Sequence, residues 1–292
     1  MAPHATSNTV STSIVEPTAP KMKTALEALS QGGPPLTGIP SFPSHASQRA
    51  HQLEHMAAAF RVFARKGYTE GMAGHISLRD PENPHTFWTN PLGRPWCLMR
   101  ASDMALVDYD GKIIGGNMSR PVNAAGFLIH SAVHKARPDV NAVCHAHSPC
   151  GKAWSTFARP LEMINQDACV FYGEAQSVYK QFGGVVFDEA EGQRLAESLG
   201  AKGKGMVLTN HGLLTVGQTV DEAAYLFTSM ERSCQVQLLA EAAASNGLQK
   251  QVVGQEEAEY TFKMTSDADG LYREFQPDFE VEDYLCNGEF RK

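Results

Sequence analysis

The chain has 292 residues, a formal net charge of −7 at pH 7, 42% hydrophobic residues and 20% charged residues. This length and composition suffice for one large globular domain or two small ones. The mild acidity argues against a nucleic-acid or anionic-membrane surface. No apolar run reaches the roughly 18–20 residues that a membrane span needs. We therefore expect a small-molecule substrate, and neither nucleic acid nor membrane as a partner.

The cysteines and the N-terminal segment indicate where the protein works. The six cysteines are scattered, and none forms a C-x-x-C pair. This usage is typical of a reduced, cytoplasmic protein. The first 20 residues lack the apolar segment of a secretory signal. Residues 1–45 are rich in Ser, Thr, Pro and Gly, which predicts a disordered N-terminal arm.

Regular structure is expected from SQRAHQLEHMAAAFRVFARKG onward, where apolar residues recur at helical spacing. HISLRD, HTFWTNP and ALVDYDGKIIGG are short strand-like runs separated by turn residues, and YDGK indicates a hairpin. NAAGFLIHSAVHKARPDV predicts a helix that ends near Pro138. The apolar run NAVCHAHS that follows predicts a strand.

The second half continues the alternation of strands and helices. KQFGGVVFD predicts a strand, EAEGQRLAESLG a helix and GMVLTNHGLLTVG a strand–turn–strand. TVDEAAYLFTSMERSCQVQLLAEAAAS predicts a long helix capped by Thr219 or Asp221. Residues 46–245 therefore form one predicted α/β domain. Residues 246–292 are polar and are expected to be an irregular C-terminal extension.

Three histidines have the arrangement of metal ligands. His145 and His147 are two apart in the strand NAVCHAHS, so their side chains point to one face. His211 lies in the turn TNHG between two apolar runs, where Asn and Gly allow unusual backbone angles. Zinc-type catalytic sites commonly use three protein ligands and an open position. The alternative is that the three are ordinary packed or hydrogen-bonded histidines.

A second histidine pair invites a similar interpretation with less support. His130 and His134 lie four apart on one helix face, a spacing that can also hold a metal. The Glu of an H-E-x-x-H motif is missing between them. We interpret them as packing residues or as residues behind the site.

Residues 48–245 resemble the class II aldolase/adducin family. The resemblance is carried by EGMAGHISLR, TNPLGRPW, ASDMALVDYDGKII, HSAVHKARPDV leading into AVCHAHSP, TNHGLLTVG and TVDEAAYLFTSMERSCQVQ. It implies a three-layer α/β/α domain around a mostly antiparallel sheet, and often a homotetramer with active sites between subunits. It also implies that His145, His147 and His211 bind a divalent metal ion, with zinc favoured and Fe, Mn or Co as alternatives.

The chain departs from the aldolases where that family carries out its chemistry. The family's catalytic Glu falls on Gly126, which cannot transfer a proton. The small hydroxyl residues that hold a substrate phosphate fall on Asn123, Ala124 and Ala125. Phosphate needs hydrogen-bond donors and positive charge, so a sugar-phosphate aldolase is disfavoured.

Other groups are candidates for the missing roles. The family's phosphate-binding Gly-Asn pair reads Gly74-His75 here. We expect His75, Gly74 and Asn123 to contact the substrate. His75 and His130 are the candidate catalytic proton carriers, with Tyr260 or Tyr272 as alternatives.

Three functions remain open from the sequence. The first is a metal-dependent lyase of secondary metabolism that cleaves a carbon–carbon bond in a small non-phosphorylated oxygenated acid, by decarboxylation or by retro-aldol cleavage. The second is an Fe(II)-dependent, aldolase-like oxygenase that performs oxidative decarboxylation, for which three neutral ligands and open positions suffice. The third is a non-enzymatic adducin-like scaffold. The retained histidine triad argues against the scaffold.

Overall fold

A computed structural model describes residues 24–186 and 188–292, and the expectations for residues 1–23 lie outside it. The described helices are α1 (Ala25–Leu29), α2 (His45–Arg65), α3 (Ala124–Ala136), α4 (Pro149–Ser155), α5 (Glu189–Leu199), α6 (Val220–Ala244), α7 (Gln255–Thr265) and α8 (Ala268–Cys286). The described strands are β1 (His75–Arg79), β2 (Thr86–Thr89), β3 (Ala105–Asp108), β4 (Ile113–Gly116), β5 (Ala142–Ala146), β6 (Gln176–Tyr179), β7 (Gly205–Leu208) and β8 (Gly212–Gly217).

The eight strands form one sheet in the order β4-β3-β2-β1-β5-β8-β7-β6. Every neighbouring pair is antiparallel except β6 and β7, which are parallel. The predicted α/β class with a mostly antiparallel sheet is therefore confirmed. Strands β1, β5 and β8 lie side by side at its centre, so residues at their ends come together although they are far apart in sequence.

Helices cover both faces of the sheet and make three layers. On one face, β5 contributes Cys144 to a core shared with α2, α6 and α8. On the other face, Val143 packs with Ile129 of α3 and Leu195 of α5. Because strand residues alternate between faces, His145 projects from the same face as Val143, towards α3. The predicted three-layer arrangement is thus observed.

Two expected elements differ from the structure. Residues 180–186 of the predicted strand KQFGGVVFD are not a strand; the strand ends at Tyr179, just before them. Gly183 and Gly184 follow, and Gly184 has a φ of +92°, which is incompatible with an extended strand. The segment 180–186 is instead a loop that reaches the cavity described below.

The C-terminal extension is helical rather than irregular. Helices α7 and α8 occupy much of it, and α8 buries Leu271, Phe275 and Phe279. These residues recur every four positions, so they form one apolar helix face. The described part of the predicted disordered arm, residues 24–45, includes α1 and is attached to α8, because the Ile39 N–H donates to the Asp269 carboxylate over 2.7 Å. In the part of the chain that is described, no helix combines the length and apolar character of a membrane span.

Candidate metal centre

The three predicted ligands meet at one end of the central strands. The candidate ligand atoms of His145, His147 and His211 all lie within 4.8 Å of one another. The three ring centroids are 4.7–5.1 Å apart, with the rings edge to face. His145 is inside β5, His147 follows its last residue, and His211 precedes the first residue of β8.

The turn that carries His211 depends on its two neighbours in different ways. Asn210 has a φ of +56°, in the left-handed region that Asn tolerates better than most residues. Gly212 has an ordinary φ but approaches β5 closely, since a Cβ there would lie 2.8 Å from the Ala146 carbonyl oxygen. The sequence prediction of unusual angles holds for the Asn. The Gly instead brings the His211 turn close to β5.

The environment keeps the triad in the form that binds metal. Burial is the main reason why the pKa of His145 lies well below its ordinary value, and the neighbouring histidines lower it further. Burial also lowers the pKa of His147 and brings that of His211 to about 4. Metal-binding imidazoles must be neutral, so this requirement is met at neutral pH.

Hydrogen bonding orients one of the three rings. His145 Nδ1 lies 2.8 Å from the Leu213 carbonyl oxygen. A carbonyl only accepts, so Nδ1 carries the proton and Nε2 keeps its lone pair for an ion. Three neutral imidazoles, one of them fixed in this tautomer, fit Zn²⁺ or another divalent transition-metal ion.

A fourth histidine stands beside the triad. His75 pairs with His145 across strands β1 and β5, and their ring centroids are 4.8 Å apart. Behind it runs a chain of short hydrogen bonds: His75 Nδ1 to His130 Nε2 at 2.7 Å, His130 Nδ1 to Ser77 Oγ at 2.7 Å, and Ser77 Oγ to His134 Nε2 at 2.8 Å. The described residues offer no hydrogen-bond partner to His75 Nε2, which leaves that atom available to a ligand.

His130 therefore has a different position from the one expected of a catalytic group. Its side chain is buried, and it is not among the residues that line the cavity beside the triad. Burial lowers its pKa well below the ordinary value, and the nearby His134 and His145 add to the effect. In the structure, His130 connects His75 to Ser77 and contacts the cavity only through His75.

Position 126 explains why His75 stands where it does. A Cβ added to Gly126 would lie 2.3 Å from His75 Cδ2, far inside contact distance. The imidazole thus fills the space that any side chain at position 126 would need. Sequence reasoning identified the missing carboxylate at Gly126 and the unusual His75 separately. The structure shows that the His75 ring occupies the space left by the absence of a side chain at Gly126.

A cavity of about 530 Å³ opens beside the triad. Gly74, Asn123 and His75, the three predicted substrate contacts, all line it together with the triad. Gly74 has a φ of +89°, and a Cβ there would lie 2.7 Å from the Trp96 ring, so the backbone can pass there only as glycine. Asn123 caps α3 by accepting from the Gly126 N–H over 2.9 Å, which leaves its amide NH₂ for another partner.

The two tyrosines considered for proton transfer are elsewhere in this chain. Tyr272 is buried with its ring 6.2 Å from that of His55, and Tyr260 is exposed on α7. Neither lines the cavity. Lys152 and the loop residues Phe182, Val185 and Val186 do line it, although none of them was predicted from the sequence. Lys152 lies only five residues after His147, so its position was the available signal.

A buried carboxylate fixes the backbone next to His147. Glu231 of α6 accepts from the Ser148 hydroxyl and from the N–H groups of Cys150, at 2.7 Å, and Gly151, at 2.6 Å. The carboxylate thereby satisfies the otherwise unpaired donors at the start of α4. It joins the segment that follows His147 to the long helix α6.

We expect Glu231→Ala to lower the free energy of unfolding by about 3 kcal/mol, because three donors, two of them in buried hydrogen bonds, lose a charged acceptor. Displacing the residue after His147 should also weaken metal binding by about 10-fold. Denaturant titration and metal competition measure the two effects. The matched control is Glu241→Ala on the same helix, which loses a partly exposed ion pair with Lys250 and should cost much less stability. Equal losses in the two variants would contradict the assigned role.

Residues 54–238 match the model of the class II aldolase and adducin N-terminal domain. A fission yeast relative, the meiotically up-regulated gene 14 protein of Schizosaccharomyces pombe, is 46% identical over 87% of this chain and 97% of its own length.

Two bacterial relatives and one solved structure carry names that describe reactions. The decarboxylase NovR of Streptomyces niveus is 44% identical over 70% of this chain and 75% of its own. A 4-hydroxy-3-prenylphenylpyruvate oxygenase/4-hydroxy-3-prenylbenzoate synthase of Streptomyces roseochromogenus is also 44% identical, over 70% and 73%. The structure of an L-fuculose 1-phosphate aldolase from Glaciozyma antarctica superposes with a TM-score of 0.78 at 42% identity, covering 87% of this chain and 97% of that one.

Proposed function

Since the chain belongs to the class II aldolase and adducin family, we propose that it is a metal-dependent carbon–carbon lyase that decarboxylates a non-phosphorylated oxygenated acid. His145, His147 and His211 would hold the metal. When bound, a divalent ion supplies a Lewis acid for the substrate oxygen on which negative charge develops. The homotetramer and the cytoplasmic location that the sequence favours remain predictions.

The observation that carries the proposal is the number of proton carriers in the cavity. Apart from the triad, His75 and Lys152 are the titratable groups among the described residues that line it, and Lys152 is ion-paired with Glu70. Retro-aldol cleavage needs one group to remove a hydroxyl proton and a proton source for the carbanion. Decarboxylation needs only the second. A cavity with one free imidazole therefore suits decarboxylation better.

The hydrogen-bond chain behind His75 supports a role in proton transfer. In one direction of the chain His134 donates to Ser77, Ser77 to His130 and His130 to His75 Nδ1, which places the proton of His75 on Nε2, the atom left without a protein partner. In the opposite direction Nε2 presents a lone pair. In decarboxylation, the bond to the carboxyl carbon breaks, CO₂ leaves, and the electron pair stays on the remaining carbon. His75 Nε2 would then deliver a proton to that carbon and take one back from water in the cavity, and His130 would keep the ring in position.

The proposed substrate lacks a phosphate because the cavity lacks the groups that would hold one. Ala124 and Ala125 line the wall where the aldolase resemblance implies hydroxyl residues. Lys152 is the one cationic side chain among the described residues of the lining. The structure named for L-fuculose 1-phosphate aldolase is the strongest argument for the opposite view. Gly126, Ala124 and Ala125 are the reasons for preferring a decarboxylase.

The second candidate is an oxygenase, favoured by the relative whose name includes that activity. In this alternative, a 2-oxo acid and dioxygen give CO₂ and an acid one carbon shorter. Both added oxygen atoms stay in that acid, one in its carboxylate and one as a hydroxyl group. Three histidine ligands are compatible with iron in such a site.

The test is CO₂ release from a panel of 2-oxo, 3-oxo and hydroxy acids, with and without oxygen, using protein purified anaerobically. We expect release from at least one acid at the same rate in both atmospheres. Release that requires oxygen and consumes it would replace the lyase by the oxygenase. Faster cleavage of L-fuculose 1-phosphate than of any acid would overturn both.

A further inference from the structure

One wall of the cavity beside the triad is apolar, and the proposed reaction assigns it no role. Leu92, Ile129, Phe182, Val185 and Val186 contribute apolar surface to it. Phe182 is 56% exposed and Val185 is 67% exposed, although both belong to one short loop at the cavity. Large apolar groups gathered in a cavity and left in water are a favourable surface for an apolar ligand.

Lys152, the one cationic side chain among the described residues of the lining, lies on a rigid support. Lys152 is in α4, whose first turn is fixed by the buried Glu231 carboxylate. It lines the same cavity as His147 and the other two histidines of the triad. A carboxylate bound to Lys152 would therefore also lie near the triad.

Lys152 already binds a carboxylate in the structure, that of Glu70. The side chain of Lys152 is 40% exposed and that of Glu70 is 59% exposed. Ion pairs at this exposure contribute little stability, so another carboxylate can replace Glu70 at small cost. Glu70 itself does not line the cavity, and its departure would leave the wall unchanged.

We propose that the cavity takes a carboxylic acid with an apolar aryl or branched-alkyl body, whose carboxylate replaces Glu70 on Lys152. The body lies against Phe182, Val185 and Val186. This inference rests on the proposed function and specifies its substrate class. When the carboxyl group leaves as CO₂, it loses its charge, and Lys152 returns to Glu70.

Binding is measured by calorimetry without oxygen on the metal-containing protein, using phenylpyruvate, its methyl ester and pyruvate. We expect phenylpyruvate to bind roughly 10- to 100-fold more tightly than pyruvate, the effect of burying an aromatic ring. Lys152→Met should weaken phenylpyruvate binding about 10-fold and leave the ester unchanged. Glu70→Gln should tighten phenylpyruvate binding a few-fold, because the competing carboxylate is gone. Phe182→Ala should weaken binding of phenylpyruvate but not of pyruvate.

The matched control is Lys135→Met, a lysine of α3 outside this cavity, which should bind all three ligands like the parent protein. Retained metal content and an unchanged circular dichroism spectrum establish that Lys152→Met is folded. Equal affinity of parent and Lys152→Met for phenylpyruvate, or equal affinity of the parent for phenylpyruvate and pyruvate, would overturn the inference. Lys152-dependent binding without CO₂ release supports this inference and removes the proposed function. CO₂ release that does not depend on Lys152 supports the proposed function and removes this inference.

Discussion

His145→Ala is expected to lose its bound metal and, with it, all CO₂ release above that of a protein-free sample. His145 is the buried member of the triad, and its ring is held by the Leu213 carbonyl. Its loss leaves two partly exposed ligands, fewer than the three that catalytic sites commonly use. Elemental mass spectrometry on protein purified without added metal and without oxygen should find about one ion per chain in the parent and a background level in the variant.

The control is His85→Ala, an exposed histidine that should keep both metal and activity. The identity of the ion also separates the candidate functions. Zinc, manganese or cobalt that disappears in His145→Ala favours the lyase, and iron that disappears in the same way favours the oxygenase. A parent protein without metal would contradict both and leave the adducin-like scaffold as the better explanation.

Local patterns in the sequence were sufficient to select the three histidines, because strand geometry and the turn motif depend on neighbouring residues alone. A two-residue spacing in a strand places His145 and His147 on one side, and TNHG between apolar runs predicts a turn. The resemblance supplied the one long-range fact that local patterns could not, namely that the turn and the strand are neighbours. The antiparallel pairing of β5 and β8 accounts for that proximity.

Other features depend on contacts that no local pattern contains. His75 and Gly126 are 51 residues apart in the sequence. The His75 ring occupies the space of a side chain at position 126, which becomes visible only when β1 and α3 are packed together. Residues 180–186 include Phe182, Val185 and Val186, residue types that favour a strand, but two adjacent glycines and the cavity beside them favour a loop. The apolar spacing of α8 was present in the sequence, and the polar residues around it obscured it.

Removing the His75 imidazole is expected to have the second large effect. His75→Ala should lower kcat for decarboxylation by about 10²–10⁴-fold, the usual contribution of a positioned proton carrier, while metal content stays near one ion per chain. Anaerobic CO₂ release and elemental mass spectrometry measure the two quantities. His130→Gln is the companion variant: it leaves His75 in the cavity without its hydrogen-bonded neighbour, and we expect a smaller loss of kcat.

The same residue allows a test of the packing that underlies the proposal. With His75 present, Gly126→Ala forces a Cβ into the imidazole and should lower the free energy of unfolding by about 1–3 kcal/mol. In a His75→Ala background, the same change should be neutral or stabilise the protein by up to about 1 kcal/mol, because alanine favours the helix over glycine. Denaturant titration of the four proteins gives the coupling, for which we expect about 2 kcal/mol. Additive effects would mean that His75 does not occupy the space of a side chain at position 126. If kcat of His75→Ala were also unchanged, His75 would not be the proton carrier, and the metal site alone would account for the activity.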